Sequence, residues 1–358
     1  MGDLPDRADV VIVGGGFAGA ATAYELVRAG VTGVLLLERE PACGQHASGR
    51  NAALGRQLVE DERITDFTLP GAAFLRHPPD GFAPVPLWRQ TGSLLLCDSA
   101  EQLAHLAGRA HQRDLPHQLC SMAEVVARWP RLAGVDSAGA VAFPTDGVID
   151  VHALLEGYLA GARAGGLQVR TRCPVTGLAD RGGRARVDTP LGAVDAGCVV
   201  VAAGAWAEQV GGLAGGRGQF TPMHRHLYLT EPVPGLDRAA PFVWNLGAAQ
   251  MYARPEGTGY LLSACDEAEA APGDAAVAAD ALPSLAGKLS RAAPGLAELG
   301  IARAWACLRT FAPDRRPVVD WDTEVPWLFW VAGLGGHGAT ASDALGAAAA
   351  LKISERLG

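Results

Sequence analysis

Residues 10 to 38 limit what this chain can fold into more than any other stretch. Val10-Val11-Ile12-Val13 reads as a buried strand running into Gly14-Gly15-Gly16-Phe17-Ala18-Gly19, a small-residue helix, and a second strand, Val34-Leu35-Leu36-Leu37, closed by Glu38. This is a β-α-β unit with a G-x-G-x-x-G loop at Gly14, Gly16 and Gly19. In such loops the first glycine permits a tight turn, the second lets backbone approach a pyrophosphate, and the third brings helix and strand together. The helix N-terminus then presents free N–H groups and a favourable dipole to the phosphates. Glu38 lies 24 residues after Gly14, where a carboxylate can accept from ribose hydroxyls and disfavours a 2′-phosphate. An ordinary strand-to-helix turn does not account for that acid, so the ordered set predicts binding of an ADP moiety. A unit so near the N-terminus fits permanently bound FAD, although position alone leaves NAD open.

The chain has 358 residues, long enough for a large core and two domains. Its net charge of −8 and lack of a Lys/Arg cluster argue against a nucleic-acid partner. The acidic start, Met1 to Asp6, predicts no secretory signal. The apolar stretch Val10–Val27 contains Glu25 and several glycines, so it is expected to be buried strand and helix, not a membrane span. Seven scattered cysteines without a C-x-x-C favour a reducing compartment and no metal site, and the expected location is cytoplasmic.

Two later elements repeat the strand-then-glycine pattern: Cys198–Ala203 before Gly204, and Leu328–Ala332 before Gly333. The latter leads through Gly335-Gly336-His337-Gly338 into a helix expected from about Ala339 to Arg356. The expected fold class is therefore α/β, with a discontinuous Rossmann-like nucleotide domain. Alternating segments such as His226–Thr230 and Tyr260–Leu262 predict antiparallel strands in a second, α+β substrate domain. The expected boundaries are 1–86, 144–216 and 304–358 for the first domain, and 87–143 and 217–303 for the second. Glu267–Asp280 is expected to be a solvent-exposed loop or helix start.

With these elements in place the chain resembles the D-amino-acid oxidase superfamily of FAD enzymes. The likeness is carried by Glu38-Arg39-Glu40, Gly44 to Ala53, Ala203–Trp206, Trp305–Thr310 and Phe329–Gly338. It is closest to bacterial D-arginine dehydrogenase and related D-amino-acid dehydrogenases, with glycine oxidase and monomeric sarcosine oxidase further off. The resemblance implies FAD at the domain interface, and hydride transfer from a carbon beside an amine to flavin N5. It implies cofactor contacts at Gly14, Gly16, Phe17, Ala18, Gly19, Glu38, Arg39, Ser48, Val175, Gly204, Trp206, Gly335, Gly336, His337, Gly338 and Thr340. The helix beginning near Gly338 would stabilise negative charge on the reduced ring.

For the substrate, the resemblance implies that Arg309 binds the carboxylate, which a guanidinium fork can hold at both oxygens. Arg225 matches a second pocket arginine and Tyr252 a substrate-bonding tyrosine, while His46 stands beside the flavin, where it orients substrate or the pyrimidine ring or caps a loop. His337 stands where sarcosine oxidase has a histidine. Ser93 aligns with the acid that receives the substrate guanidinium in D-arginine dehydrogenase, so neutral D-amino acids are expected to outperform D-arginine. Cys307 matches the cysteine that links covalently to flavin in sarcosine oxidase, but the surrounding loop favours non-covalent FAD. The expected activity is oxidation of a D-amino acid to an imino acid. The alternatives are a secondary-amine oxidase, a 2-hydroxy-acid dehydrogenase, and a flavin-binding subunit. The electron acceptor stays open between oxygen and a quinone or other carrier.

Overall fold

The computed structural model describes residues 4–357, so the reading of Met1 to Asp3 lies outside the described residues. Among these residues the strands form two eight-stranded sheets and one of three strands. In the first sheet the opening strand Arg7–Val13 lies between Val34–Leu37 and Gly192–Val201, parallel to both. Leu328–Ala332 continues the parallel set beyond Gly192–Val201. The strands that each run into a glycine turn are thus neighbours, as the α/β reading expects.

Register carries the functional consequence. Val13 is level with Leu37 on one side and Val201 on the other, and Val201 is level with Trp330. Gly14, Glu38, Ala202 and the loop after Ala332 therefore leave the sheet at one edge, the carboxyl edge where open α/β sheets bind ligands. Both sheet faces are covered, so the strands are uniformly apolar instead of alternating. Val10 and Ile12 pack with Phe17, Ala20 and Ile353, while Val11 and Val13 pack with Val199, Val201 and Trp330.

The final helix, Gly338–Leu357, crosses both Phe17–Arg28 and Glu62–Arg76 at close range. A Cβ on Gly346 would stand 2.7 Å from the Ala21 carbonyl carbon, and one on Gly71 would stand 1.9 Å from the Thr340 oxygen. Small residues at these crossings hold the helix start against the sheet edge. No helix among the described residues is long and apolar enough to cross a membrane.

The second large sheet runs Ile301–Phe311, Thr221–Thr230, Gly259–Ser263, Met251–Glu256, Phe242–Asn245, Ser93–Cys97, Gly139–Phe143, Gln118–Cys120. It differs from expectation in two ways. Phe242–Asn245 and Ser93–Cys97 pair in parallel. They come from separate insertions with no hairpin to set their direction. The expected return to the first domain at 304 falls inside Ile301–Phe311, whose residues pair with Thr221–Thr230 from end to end. The chain rejoins the first sheet only at Val318–Trp321. The ladder runs through nine consecutive pairs, Thr221 with Phe311 to Leu229 with Arg303, before a register shift at Thr230. The segment Glu267–Asp280 is a loop with mixed exposure.

Candidate functional site

The carboxyl edge opens into a cleft of about 490 Å³ that runs from the glycine loop to the second sheet. At one end Gly14 adopts φ +112°, and a Cβ there would stand 2.4 Å from the Ala202 carbonyl oxygen. At Gly19 a Cβ would stand 2.0 Å from the Gly14 oxygen, which is the close helix–strand approach the motif predicts. At Gly16 the nearest atom is instead the Ser48 hydroxyl, at 2.9 Å. That hydroxyl accepts from Phe17 N–H at 3.0 Å, so Ser48 holds one free donor at the helix start. Glu38 is buried, and its two oxygens accept from Gly15 N–H and Glu40 N–H, each at 2.8 Å. The carboxylate thereby fixes the glycine loop while facing the cleft. Arg39 lies over the Trp206 ring at 4.3 Å, and Val175 and Gly204 complete this end.

The geometry fits an extended dinucleotide. Backbone is exposed where a Cβ would close the cradle, an acid stands at the ribose position, and the far end narrows onto Val331–Thr340. Gly335 and Gly336 have φ +56° and +93°, and turn the chain so that the helix Gly338–Leu357 starts in the cleft wall. A first-turn N–H there has no earlier carbonyl to bond within the helix, and it can meet charge on a ligand.

At the second-sheet end stand Tyr252, Trp244, Arg309 and His337. Trp244 and Tyr252 are direct cross-strand partners, so both rings share one sheet face, with centroids 4.9 Å apart. Tyr252 is fully buried, and its hydroxyl accepts from Arg309 Nη2 at 3.4 Å. Gly336 lets the arginine in: a Cβ there would lie 3.0 Å from Arg309 Cδ and 3.1 Å from Nε. No carboxylate among the described residues pairs with Arg309, which is therefore a cation held in a cavity wall without a protein counter-charge. Burial first, and then the Arg56 charge, lower His337 to about 4, with Glu60 opposing; the ring is neutral at physiological pH.

Three expected residues sit differently. Arg225 lines a second cavity of about 470 Å³ that shares Arg309, Trp244 and His337 with the first. Its guanidinium is already engaged, with Nη2 on Glu267 at 2.9 Å and Nε on the Asp266 carbonyl at 3.0 Å. It is a buried residue with its own carboxylate partner, unlike Arg309. His46 bonds Glu40 at 3.0 Å and lies 4.7 Å from the Trp206 ring. That places it among the residues at the Glu38 end of the cleft. Ser93 is buried and donates to Asp146 Oδ2 at 2.7 Å, outside the residues that line either cavity. Its strand turns the hydroxyl towards the buried Asp146 carboxylate, so Ser93 adds no acid to the cleft wall.

Cys307 does reach the cleft, two residues from Arg309 on the same strand face. Burial pushes its thiol above the usual range, against the pull of Arg309 and Arg225. Sequence reasoning missed Arg56 and Trp244, which also line the cleft. A signal for Arg56 existed: it is the only charged residue between Asn51 and Val59. Trp244 gave none, since pairing with Tyr252 depends on register.

A family model described as DAO, FAD dependent oxidoreductase, matches residues 9–351. The chain is 31% identical over 245 residues to mitochondrial sarcosine dehydrogenase of Homo sapiens, covering 65% of this chain and 26% of that protein. It is 28% identical over 284 residues to mitochondrial dimethylglycine dehydrogenase of Rattus norvegicus, covering 74% and 31%. The chain thus spans about a quarter to a third of the length of these curated relatives. Among solved structures, L-proline dehydrogenase from P. horikoshii superposes with a TM-score of 0.87 at 23% identity, covering 99% of this chain and 95% of that one.

Proposed function

The chain belongs to the DAO family of FAD dependent oxidoreductases, and from that premise we propose that it oxidises the carbon–nitrogen bond of an amino acid, most readily one with a substituted nitrogen. The observation that carries the reading is Arg309, a guanidinium in the cleft wall with no carboxylate partner among the described residues, backed by Gly336 and bonded to Tyr252. A buried cation of this kind calls for an anionic ligand, and an amino-acid carboxylate matches its fork. The relatives favour a substituted amine, since sarcosine, dimethylglycine and proline all carry an alkylated nitrogen. Primary D-amino acids are the second reading, supported by the Arg309–Tyr252 pair that the sequence likeness assigned to them.

FAD, when bound, supplies the hydride acceptor. The chain's own residues do the rest. Arg309 and the Tyr252 hydroxyl hold the carboxylate, which fixes the adjacent carbon against the cleft. Neutral His337 offers a ring nitrogen as hydrogen-bond acceptor without adding a third cation beside Arg309 and Arg56. The helix starting at Gly338 would present backbone N–H groups to bound FAD, where its dipole would favour negative charge.

Anaerobic mixing with sarcosine, dimethylglycine, proline, D- and L-amino acids and 2-hydroxy acids tests the reading. The flavin absorbance is expected to bleach with amino acids, fastest with N-alkylated ones. Bleaching only by 2-hydroxy acids overturns it. Turnover with oxygen, compared with turnover on an artificial acceptor, then separates oxidase from dehydrogenase.

The flavin is expected to be non-covalent. Attachment at Cys307 needs a thiolate, and burial holds this thiol protonated. Acid precipitation should leave a yellow supernatant and a polypeptide of unmodified mass. A yellow pellet that turns colourless in Cys307→Ala would establish the thioether instead.

A further inference from the structure

Arg56 is the least explained charge in the cleft. Its side chain is 4% exposed, yet Nε and Nη1 have no hydrogen-bond partner; Nη2 alone is used, by the Leu58 carbonyl at 3.1 Å and Glu60 at 3.0 Å. A buried guanidinium with idle donors is costly unless something else occupies them.

The position is built, not incidental. The guanidinium carbon lies 4.6 Å from the Trp244 ring centroid. The following residue, Gln57, is tied down by Asp146 Oδ1, which accepts from its backbone N–H at 3.1 Å and from its side chain at 3.0 Å. Thr68 Oγ1 donates to the Gln57 carbonyl at 2.6 Å, and Arg76 Nη1 to its side-chain oxygen at 2.9 Å. Arg56 therefore has a fixed backbone and a fixed stacking partner. Trp244 in turn packs on Tyr252, whose hydroxyl meets Arg309. The two guanidiniums stand at opposite ends of one aromatic pair, and both line the same cavity. Glu60 offsets Arg56 only in part, because its own side chain is 60% exposed and takes one of the three nitrogens.

We propose that Arg56 forms a second anion subsite, so that the cleft selects amino acids carrying an additional carboxylate. This rests on the reading of the cleft as an amino-acid site. Arg309 takes the carboxylate next to the reacting carbon, and Arg56 takes the distal one across the Trp244–Tyr252 pair. A neutral side chain would leave the idle donors of Arg56 unpaired, and an amide would turn its own donors or a weaker acceptor towards them.

Holoenzyme bleaching rates with both enantiomers of aspartate, glutamate and their N-methyl derivatives should be compared with those of the matching amides. The acids are expected to exceed the amides by about tenfold to a hundredfold, the range of a charge-assisted hydrogen bond. In Arg56→Gln the preference of acid over amide should fall to near unity. Calorimetric titration of the holoenzyme with succinate and butyrate gives a readout without turnover: succinate should bind tighter in the wild type only. Equal rates for acid and amide in the wild type overturn the proposal, whatever the variant does. So does a preference that survives in Arg56→Gln. Bleaching by monocarboxylic amino acids alone defeats this inference but leaves the amino-acid reading standing; bleaching by no amino acid defeats both.

Discussion

Arg309→Met is expected to lower kcat/KM for the amino-acid substrate roughly 30- to 4,000-fold, the result of withdrawing ~2–5 kcal/mol from a buried charge pair. Most of the loss should appear in KM, because the carboxylate is held in both ground and transition states. FAD should remain bound, since the glycine loop and Glu38 lie at the other end of the cleft. Arg309→Lys should recover only part of the loss: the charge returns, but the planar fork that spans two carboxylate oxygens does not. The wall is also shaped for a guanidinium: a Cβ on Gly336 would stand 3.1 Å from Nε, and the Tyr252 hydroxyl lies 3.4 Å from Nη2. Steady-state kinetics of both variants, with the FAD content measured in parallel, check the result. Unchanged KM in both would remove Arg309 from the substrate site and leave the proposed function without its main support.

Gly14→Val is expected to yield protein without flavin. Two effects coincide at this position. The φ of +112° lies in a region that a β-branched residue avoids, at a cost of ~1–3 kcal/mol. The new Cβ would also meet three backbone atoms: the Ala202 oxygen at 2.4 Å, its carbonyl carbon at 2.8 Å and the Ala203 Cα at 3.1 Å. None of these belongs to a flexible side-chain end, so relief requires the strand Gly192–Val201 and the glycine loop to move apart, at the edge where Glu38 fixes Gly15. Gly30→Ala is the control. It carries a similar φ of +85° but has no atom within 4 Å of the added carbon, so it should lose some stability and keep FAD. FAD released per chain on denaturation is the measurement. Stoichiometric FAD in Gly14→Val would mean that the pyrophosphate is held elsewhere.

The nucleotide half of the protein was legible in the sequence because its signals are local. A glycine loop, an apolar strand and a terminal acid fall within 30 residues, and the hydrogen bonds they make, such as Glu38 to Gly15, follow from chain geometry over that span. The later strands at Cys198 and Leu328 could be matched to the first for the same reason: burial on both faces leaves an uninterrupted apolar run. Arg309 was identified through a likeness in the residues around it.

The substrate half depended on pairings that no local pattern contains. Trp244 meets Tyr252 through antiparallel register, and Arg56 meets Trp244 although 188 positions separate them in the chain. Arg225 and Arg309 looked alike as arginines on neighbouring apolar strands. Their difference lies in Glu267, a loop residue that neutralises one and leaves the other facing the cleft. The partners of Ser93 and His46 are likewise remote from any local pattern or set by side-chain reach, Asp146 in one case and Glu40 in the other. By itself, the sequence determined the presence of a nucleotide cradle and the identity of the charged groups available to a substrate. Which of those charges remain uncompensated was decided only by tertiary structure, because compensation is a matter of distance between residues remote in sequence.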